Sequence, residues 1–213
     1  MAKSLDLFFI LLGSFIFIYH GNDVIYVKDL SEAVTVQGAV AVQNLVTLPD
    51  GEEAARQELQ SIYSNEIGVR EETNQNDGKR IVEYLNYTGL SEGYAWCAAF
   101  VSWCFKEAGY REPKTAWSPS LFPSKRIIWK RNGGAVMRNG KSKLPKKGDV
   151  FGIYFTNLKR IAHAGFVDEW GDTYVITVEG NTNEGNSRDG DGVYRKRRPL
   201  SSIYQVADWI NSK

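Results

Sequence analysis

Nucleophilic chemistry has few possible seats in this chain, which holds two cysteines, Cys97 and Cys104, and two histidines, His20 and His163. His20 follows an apolar amino-terminal run, so any histidine-dependent catalysis in the main body must use His163. Two cysteines seven positions apart with one distant histidine make no zinc pattern, and neither HExxH nor paired CxxC occurs. A Cys97–Cys104 disulfide is excluded as well, because seven helical residues span roughly 10.5 Å. Both thiols should therefore be free. Cys97 falls where a helix should begin, and there unpaired backbone N–H groups and the positive end of the dipole favour a thiolate. Cys104 falls two turns deeper, among Phe100, Val101 and Phe105, and reads as core. A hairpin turning near Gly171 would set His163 directly opposite Glu179, with Cβ atoms about 4.5–5.5 Å apart, close enough for a carboxylate to orient an imidazole. One inserted residue would break that register. Asn181 falls on the Glu179 side if the strand continues. The chemistry these residue types permit is attack by the Cys97 thiolate on a carbonyl. His163 would serve as base and then acid, Glu179 would fix its tautomer, and helix-start N–H groups would hold the oxyanion.

The elements that must position these groups are legible in part. Asp50 can cap a helix whose Glu52 and Glu53 suit its positive end, with Ala55, Leu59, Ile62 and Tyr63 at helical spacing. A second helix is expected over 78–86 and a third over 96–108, closed by Gly109; the third is apolar almost all round and must be buried on most sides. A short helix is expected over 124–131. Strands are expected over 150–155, 162–167, 173–179 and 193–197 as an antiparallel meander, and 204–210 closes the chain as a short helix or strand. Residues 113–148 hold ten lysines and arginines and no acidic residue, which fits a solvated basic surface or attraction to an anionic polymer.

Composition bounds the rest. The 213 residues, 43% hydrophobic and 24% charged, suffice for one sizeable α+β domain plus an appendage. A net charge of +1 gives no support to nucleic-acid binding. Leu7–Ile18 is large and apolar apart from Gly13 and Ser14 and follows a single lysine, Lys3. It is too short for the roughly 20 residues of a membrane-spanning helix and matches a secretory leader better. The domain reading is thus a signal peptide or signal anchor over 1–22, a spacer over 23–48 and a catalytic domain over 49–213. The expected location is exported, in the periplasm, cell envelope or medium, with membrane contact only through an uncleaved leader.

Tyr94-Ala95-Trp96-Cys97-Ala98-Ala99-Phe100-Val101-Ser102-Trp103, the Gly148-Asp149-Val150 turn, His163-Ala164-Gly165-Phe166-Val167 and Glu179-Gly180-Asn181-Thr182-Asn183 occur in that order. Together they resemble the cysteine, histidine-dependent amidohydrolase/peptidase (CHAP) family of bacterial and phage peptidoglycan hydrolases, over roughly Gly51–Arg198. The resemblance implies a papain-like α+β fold, with the nucleophile leading a central buried helix packed on an antiparallel sheet. It also implies Cys97 as nucleophile, His163 as base, Glu179 as orienting acid and Asn181 as a further polar site member. The implied activity is cleavage of a peptidoglycan amide, either the muramoyl–L-alanine linkage or a stem or cross-bridge peptide bond, without a cofactor or catalytic metal. Some members bind calcium ahead of the nucleophile; here Asn74, Asn76 and Asp77 supply oxygens without EF-hand spacing, and no metal is expected. The alternatives are a papain-like acyltransferase or deamidase acting on protein, and a silent wall-binding domain. A partner immunity or inhibitor protein is left open.

Overall fold

A computed structural model of the chain describes residues 8–12, 15–20, 23–27, 51–185 and 190–210. The amino-terminal unit contains three strands, β1 (Phe8–Leu12), β2 (Phe15–His20) and β3 (Asp23–Val27), paired antiparallel in the order β1-β2-β3. They cover the segment expected as leader and the first residues of the expected spacer. The rest of the spacer and the proposed cap Asp50 lie outside the described residues. Among those residues no helix is long and apolar enough to cross a membrane.

The second unit is α+β. Helix α1 (Gly51–Asn65) buries Arg56, Leu59 and Tyr63, a spacing that puts all three on one face. Arg56 is an unusual core residue and survives there because Lys147 O (2.7 Å) and Asp149 Oδ1 (3.0 Å) accept from its guanidinium. Helix α2 (Lys79–Tyr87) starts at Gly78, whose φ of 100° suits glycine, and buries Ile81, Tyr84 and Leu85. Helix α3 (Cys97–Glu107) is buried without interruption from Cys97 to Phe105 and ends before Gly109, at φ 78°. Its aromatic residues meet those of its neighbours edge-on: Phe100 lies 5.4 Å from Tyr84 and 6.0 Å from Phe166, and Trp103 lies 5.1 Å from Tyr84. Each such buried ring contributes about 1.5–3 kcal/mol by leaving water.

The sheet holding His163 has seven strands in the order β5-β4-β10-β6-β7-β8-β9. They are β4 (Ile127–Lys130), β5 (Gly134–Ala135), β6 (Val150–Phe155), β7 (Arg160–Trp170), β8 (Tyr174–Thr182), β9 (Gly192–Pro199) and β10 (Gln205–Ala207). The expected meander is β6 to β9, and β10 returns to pair with both β6 and β4. The helix expected over 124–131 is instead strand β4: Ile127, Ile128 and Trp129 are strand formers whose burial alternates, and pairing to β10 decides the matter. One turn of 3-10 helix, Ser118–Leu121, precedes it. Phe166, Ala164, Val178 and Val150 join the core around α3, and Phe151, Val167, Val175 and Val206 form a second, smaller cluster.

Candidate active site

Cys97 is the first residue of α3, so its backbone belongs to the turn whose N–H groups have no partner within the helix. Trp96 locks the approach to it. Its backbone N–H donates to Asn181 Oδ1 at 3.2 Å and its indole Nε1 to Glu71 Oε1 at 2.8 Å, while the ring is fully buried. The thiol is 5% exposed and lies against His163, with the Ser118 hydroxyl 3.4 Å from Sγ. Burial alone would raise its pKa. The hydrogen bond and charge of His163, then the Ser118 hydroxyl and the Ala164 backbone N–H, outweigh burial and hold the thiol below its ordinary range.

His163 uses Nε2 for Glu179 Oε2, 2.8 Å away, which leaves Nδ1 for exchange with the thiol. Burial disfavours the imidazolium, but Cys97 and Glu179 reverse the balance and raise its pKa to about 9. Glu179 has no exposed surface. Its Oε1 accepts from Thr177 Oγ1 (2.5 Å) and Arg198 Nε (2.8 Å), and its Oε2 from a second Arg198 nitrogen (2.5 Å). Burial opposes ionisation, yet Arg198 and His163 hold the carboxyl well below the usual carboxylate range. Once the Cys97 proton has passed to His163, thiolate, imidazolium and carboxylate form one alternating charge chain, ended by a guanidinium.

The contact between His163 and Glu179 is made differently from the expected register. Strands β7 and β8 pair Phe166 with Val178 and Val167 with Thr177, two residues out from the register that would set 163 opposite 179. The pairing also shifts at Asp168, a bulge that the hairpin argument did not include. Glu179 therefore reaches His163 on the diagonal, across Gly165. A Cβ there would stand 3.1 Å from Glu179 Cγ and 2.7 Å from Val178 O, so the glycine clears the route. A second bulge leaves Ala162 unpaired beside His163 and re-aims the strand at the histidine.

Asn181 lies in β8 but outside its regular pairing. It sits at φ 54° within a shift of the β8–β9 register, and its amide faces the loop ahead of α2 rather than the histidine. Besides accepting from Trp96, it donates to Asn76 Oδ1 (3.0 Å) and Glu71 Oε1 (3.4 Å). Asn74 and Asn76 adopt left-handed turns, and Asp77 accepts from Thr73 Oγ1 and N. Among the described residues no group of three or more His, Cys, Asp or Glu side chains could hold a metal ion. Cys104 is fully buried and burial drives its thiol well above the ordinary value.

Sequence reasoning missed Arg198, Thr177, Ser118 and Glu71. Strand alternation puts Thr177 on the Glu179 face, but it does not show that the hydroxyl donates to the carboxylate. Arg198 ends a run of four consecutive cations on β9; alternation sets Arg195 and Arg197 on the other face, and only pairing across β8 distinguishes it from Lys196. Two cavities open from Cys97, one of about 690 Å³ that includes His163, Asn181 and Glu71, the other of about 540 Å³ that includes Ser118, Trp117 and Tyr94.

Residues 89–181 match the family described as CHAP domain, a narrower span than the one the sequence blocks suggest, but one that contains Cys97, His163, Glu179 and Asn181. No curated protein and no solved structure matches the chain. The CHAP domain suggests amidase or peptidase activity of the peptidoglycan-hydrolase type.

Proposed function

With the CHAP domain at residues 89–181 as premise, we propose that this chain is an exported cysteine hydrolase that cleaves an amide bond of peptidoglycan. The observation that carries the reading is the Cys97 thiol, held low in pKa at the head of α3 against His163, where two cavities meet. The Cys97 thiolate attacks the carbonyl carbon, and the oxyanion so formed faces the Cys97 backbone N–H and the Ser118 hydroxyl. His163 gives its proton to the amide nitrogen, the C–N bond breaks and the amine leaves, with a thioester on Cys97. Water then attacks the thioester, His163 takes its proton, and a carboxylate departs as the thiolate returns. Glu179, itself held by Arg198, keeps the imidazole ring aimed throughout. Asn181 acts at one remove, by fixing Trp96 immediately before the nucleophile. The apolar run behind Lys3 supports delivery across a membrane, and N-terminal sequencing of the mature protein tests whether the leader is cleaved.

Digestion of purified peptidoglycan, with released fragments identified by mass spectrometry, tests the activity. The parent chain should release new soluble fragments and Cys97→Ala should release none while remaining folded. If the parent cuts no wall but Cys97 is still trapped by a thiol reagent, the acyltransferase or deamidase reading replaces this one. A Cys97 that also resists trapping favours a silent binding domain.

A further inference from the structure

Trp96 is the residue through which the fold reaches the nucleophile, and one carboxylate holds its ring. Glu71, 8% exposed, accepts through Oε1 from Trp96 Nε1 at 2.8 Å and from Asn181 Nδ2 at 3.4 Å, and through Oε2 from the Asn76 backbone N–H at 2.9 Å. Its own backbone N–H donates to Asp191 O at 2.8 Å, which ties it to the segment entering β9. These three donors to the carboxylate are neutral N–H groups, and they approach both oxygens. Only a carboxylate accepts on both; a glutamine would turn an NH2 against one of the donors.

That acceptor-only character reaches Cys97 by two routes. The indole bond fixes one end of Trp96. At the other end, Asn181 must aim its NH2 at Glu71 and Asn76 Oδ1, which leaves its own Oδ1 to receive the Trp96 backbone N–H at 3.2 Å. Trp96 immediately precedes α3, so the peptide it shares with Cys97 carries the N–H that faces the oxyanion and sets where Sγ meets His163. We infer that Glu71 is a positioning residue of the active site, which holds Cys97 against His163 through Trp96 and Asn181. The inference rests on Cys97 being the nucleophile and gives Glu71 no part in proton transfer, since His163 takes its carboxylate from Glu179. Of the two cavities at Cys97, the first is the more polar and is lined by Glu71 and His163; the second takes Lys114 and Trp117 instead, and Arg160 reaches both. Glu71 thus brings a negative charge to the first cavity, and that bare charge acts on the thiol in the opposite sense to the positioning. A negative charge nearby disfavours the thiolate, whereas contact with His163 favours it.

The rate of Cys97 alkylation by iodoacetamide, followed against pH in the full chain by mass spectrometry of the Cys97 peptide, separates the two effects without any substrate. Glu71→Gln should move the midpoint of that profile to higher pH by about half a unit or more, which is about threefold slower alkylation below the midpoint. Trp96→Phe, which removes the indole donor from the other side, should move it the same way, and the double variant should add little to either. Where wall fragments are released, kcat should fall about tenfold or more with KM nearly unchanged, because misplacement acts on the transition state. A midpoint unmoved in folded Glu71→Gln overturns the inference, and so does a shift to lower pH, the mark of a charge removed and nothing re-aimed. Shifts that add in the double variant overturn the route through Trp96. If Glu71→Gln does not fold, Trp96→Phe decides by the same signs. A Cys97 that resists alkylation in the parent chain also overturns the inference, since no thiolate is then held against His163. An upward shift in a chain that cuts no peptidoglycan upholds Glu71 and lets the hydrolase reading fall by itself; cleavage with an unmoved midpoint in Glu71→Gln does the reverse.

Discussion

Glu179 accepts hydrogen bonds from Thr177, Arg198 and His163 while exposing no surface, so its charge is satisfied on every side that it presents. Together with Cys97, its charge lets a buried imidazolium persist up to about 9. Removing that charge must lower the pKa of His163, since desolvation then acts with less opposition. Glu179→Gln should therefore pull the alkaline limb of the kcat/KM profile to lower pH and cut the maximal rate. A limb that stays in place would show that another group sets it. The same sign governs stability: folded His163 keeps its proton up to about 9, whereas an unfolded histidine releases it near about 6.5. Its contribution is complete below about 6.5 and is lost as pH rises through 9, which urea unfolding across that window would measure. Cys104→Ser should behave oppositely to Cys97→Ala: a hydroxyl buried without a designed partner costs about 1–3 kcal/mol of stability while turnover per folded molecule stays near the parent value. At this scale the meeting of Cys97, His163 and Glu179 was largely legible, because a chain with so few cysteines and histidines leaves little choice. Arg198 was not, because four consecutive cations on one strand look alike until the partner strand picks one.

At the scale of elements, α3 and the β7–β8 pair do most of the positioning. Gly165 and Gly180 are both places where a side chain would collide: a Cβ on Gly180 would stand 2.6 Å from the Trp96 ring and 2.8 Å from Phe100. Gly180→Ala should destabilise by about 1–3 kcal/mol through overpacking. Gly165→Ala should cost stability too, since its Cβ would stand 2.7 Å from Val178 O and 2.9 Å from the Phe151 ring, and should also lower kcat by crowding Glu179 at 3.1 Å; unchanged kcat in the folded variant would refute the second effect. The helices were readable from their periodicity and from Gly109, since both follow from local pattern. The hairpin register was not, because the turn centres between Asp172 and Thr173 rather than on Gly171, and a bulge at Asp168, where Gln60 Nε2, Tyr63 and Arg195 converge from distant parts of the chain, shifts the pairing again. Helix 124–131 failed for the opposite reason: its local pattern is ambiguous, and only β10, some 80 positions on in the sequence, settles it as a strand.

Over the second unit as a whole, Arg56 is the principal charged tie between α1, the Lys147–Asp149 turn and Asp208 near the end of the described chain. Burial pushes Asp149 up to about 7 and Asp208 adds repulsion, while Arg56 pulls it down. Arg56→Met would leave two buried carboxylates facing each other without their shared cation, and should cost about 3–5 kcal/mol. Equilibrium denaturation checks this, and a loss below about 1 kcal/mol would mean that the tie is dispensable. Its charge argued against an interior place for Arg56, although Leu59 and Tyr63 share its face of α1. The α+β class followed from pattern alone. The difference in polarity between the two cavities did not, because Lys114, Trp117 and Arg160 come from segments separated by three strands.

The two free thiols lie on one helix, Cys97 opening onto both cavities and Cys104 sealed two turns below it. A sulfhydryl reagent will therefore strike them in sequence: the first while the domain is intact, the second only after the helix has come away from its aromatic bed. One chain thus carries two chemical clocks, one timing access to the groove and the other timing collapse of the architecture. Reading both from a single labelling run separates a substitution that empties the groove from one that merely loosens the molecule, with no added probe.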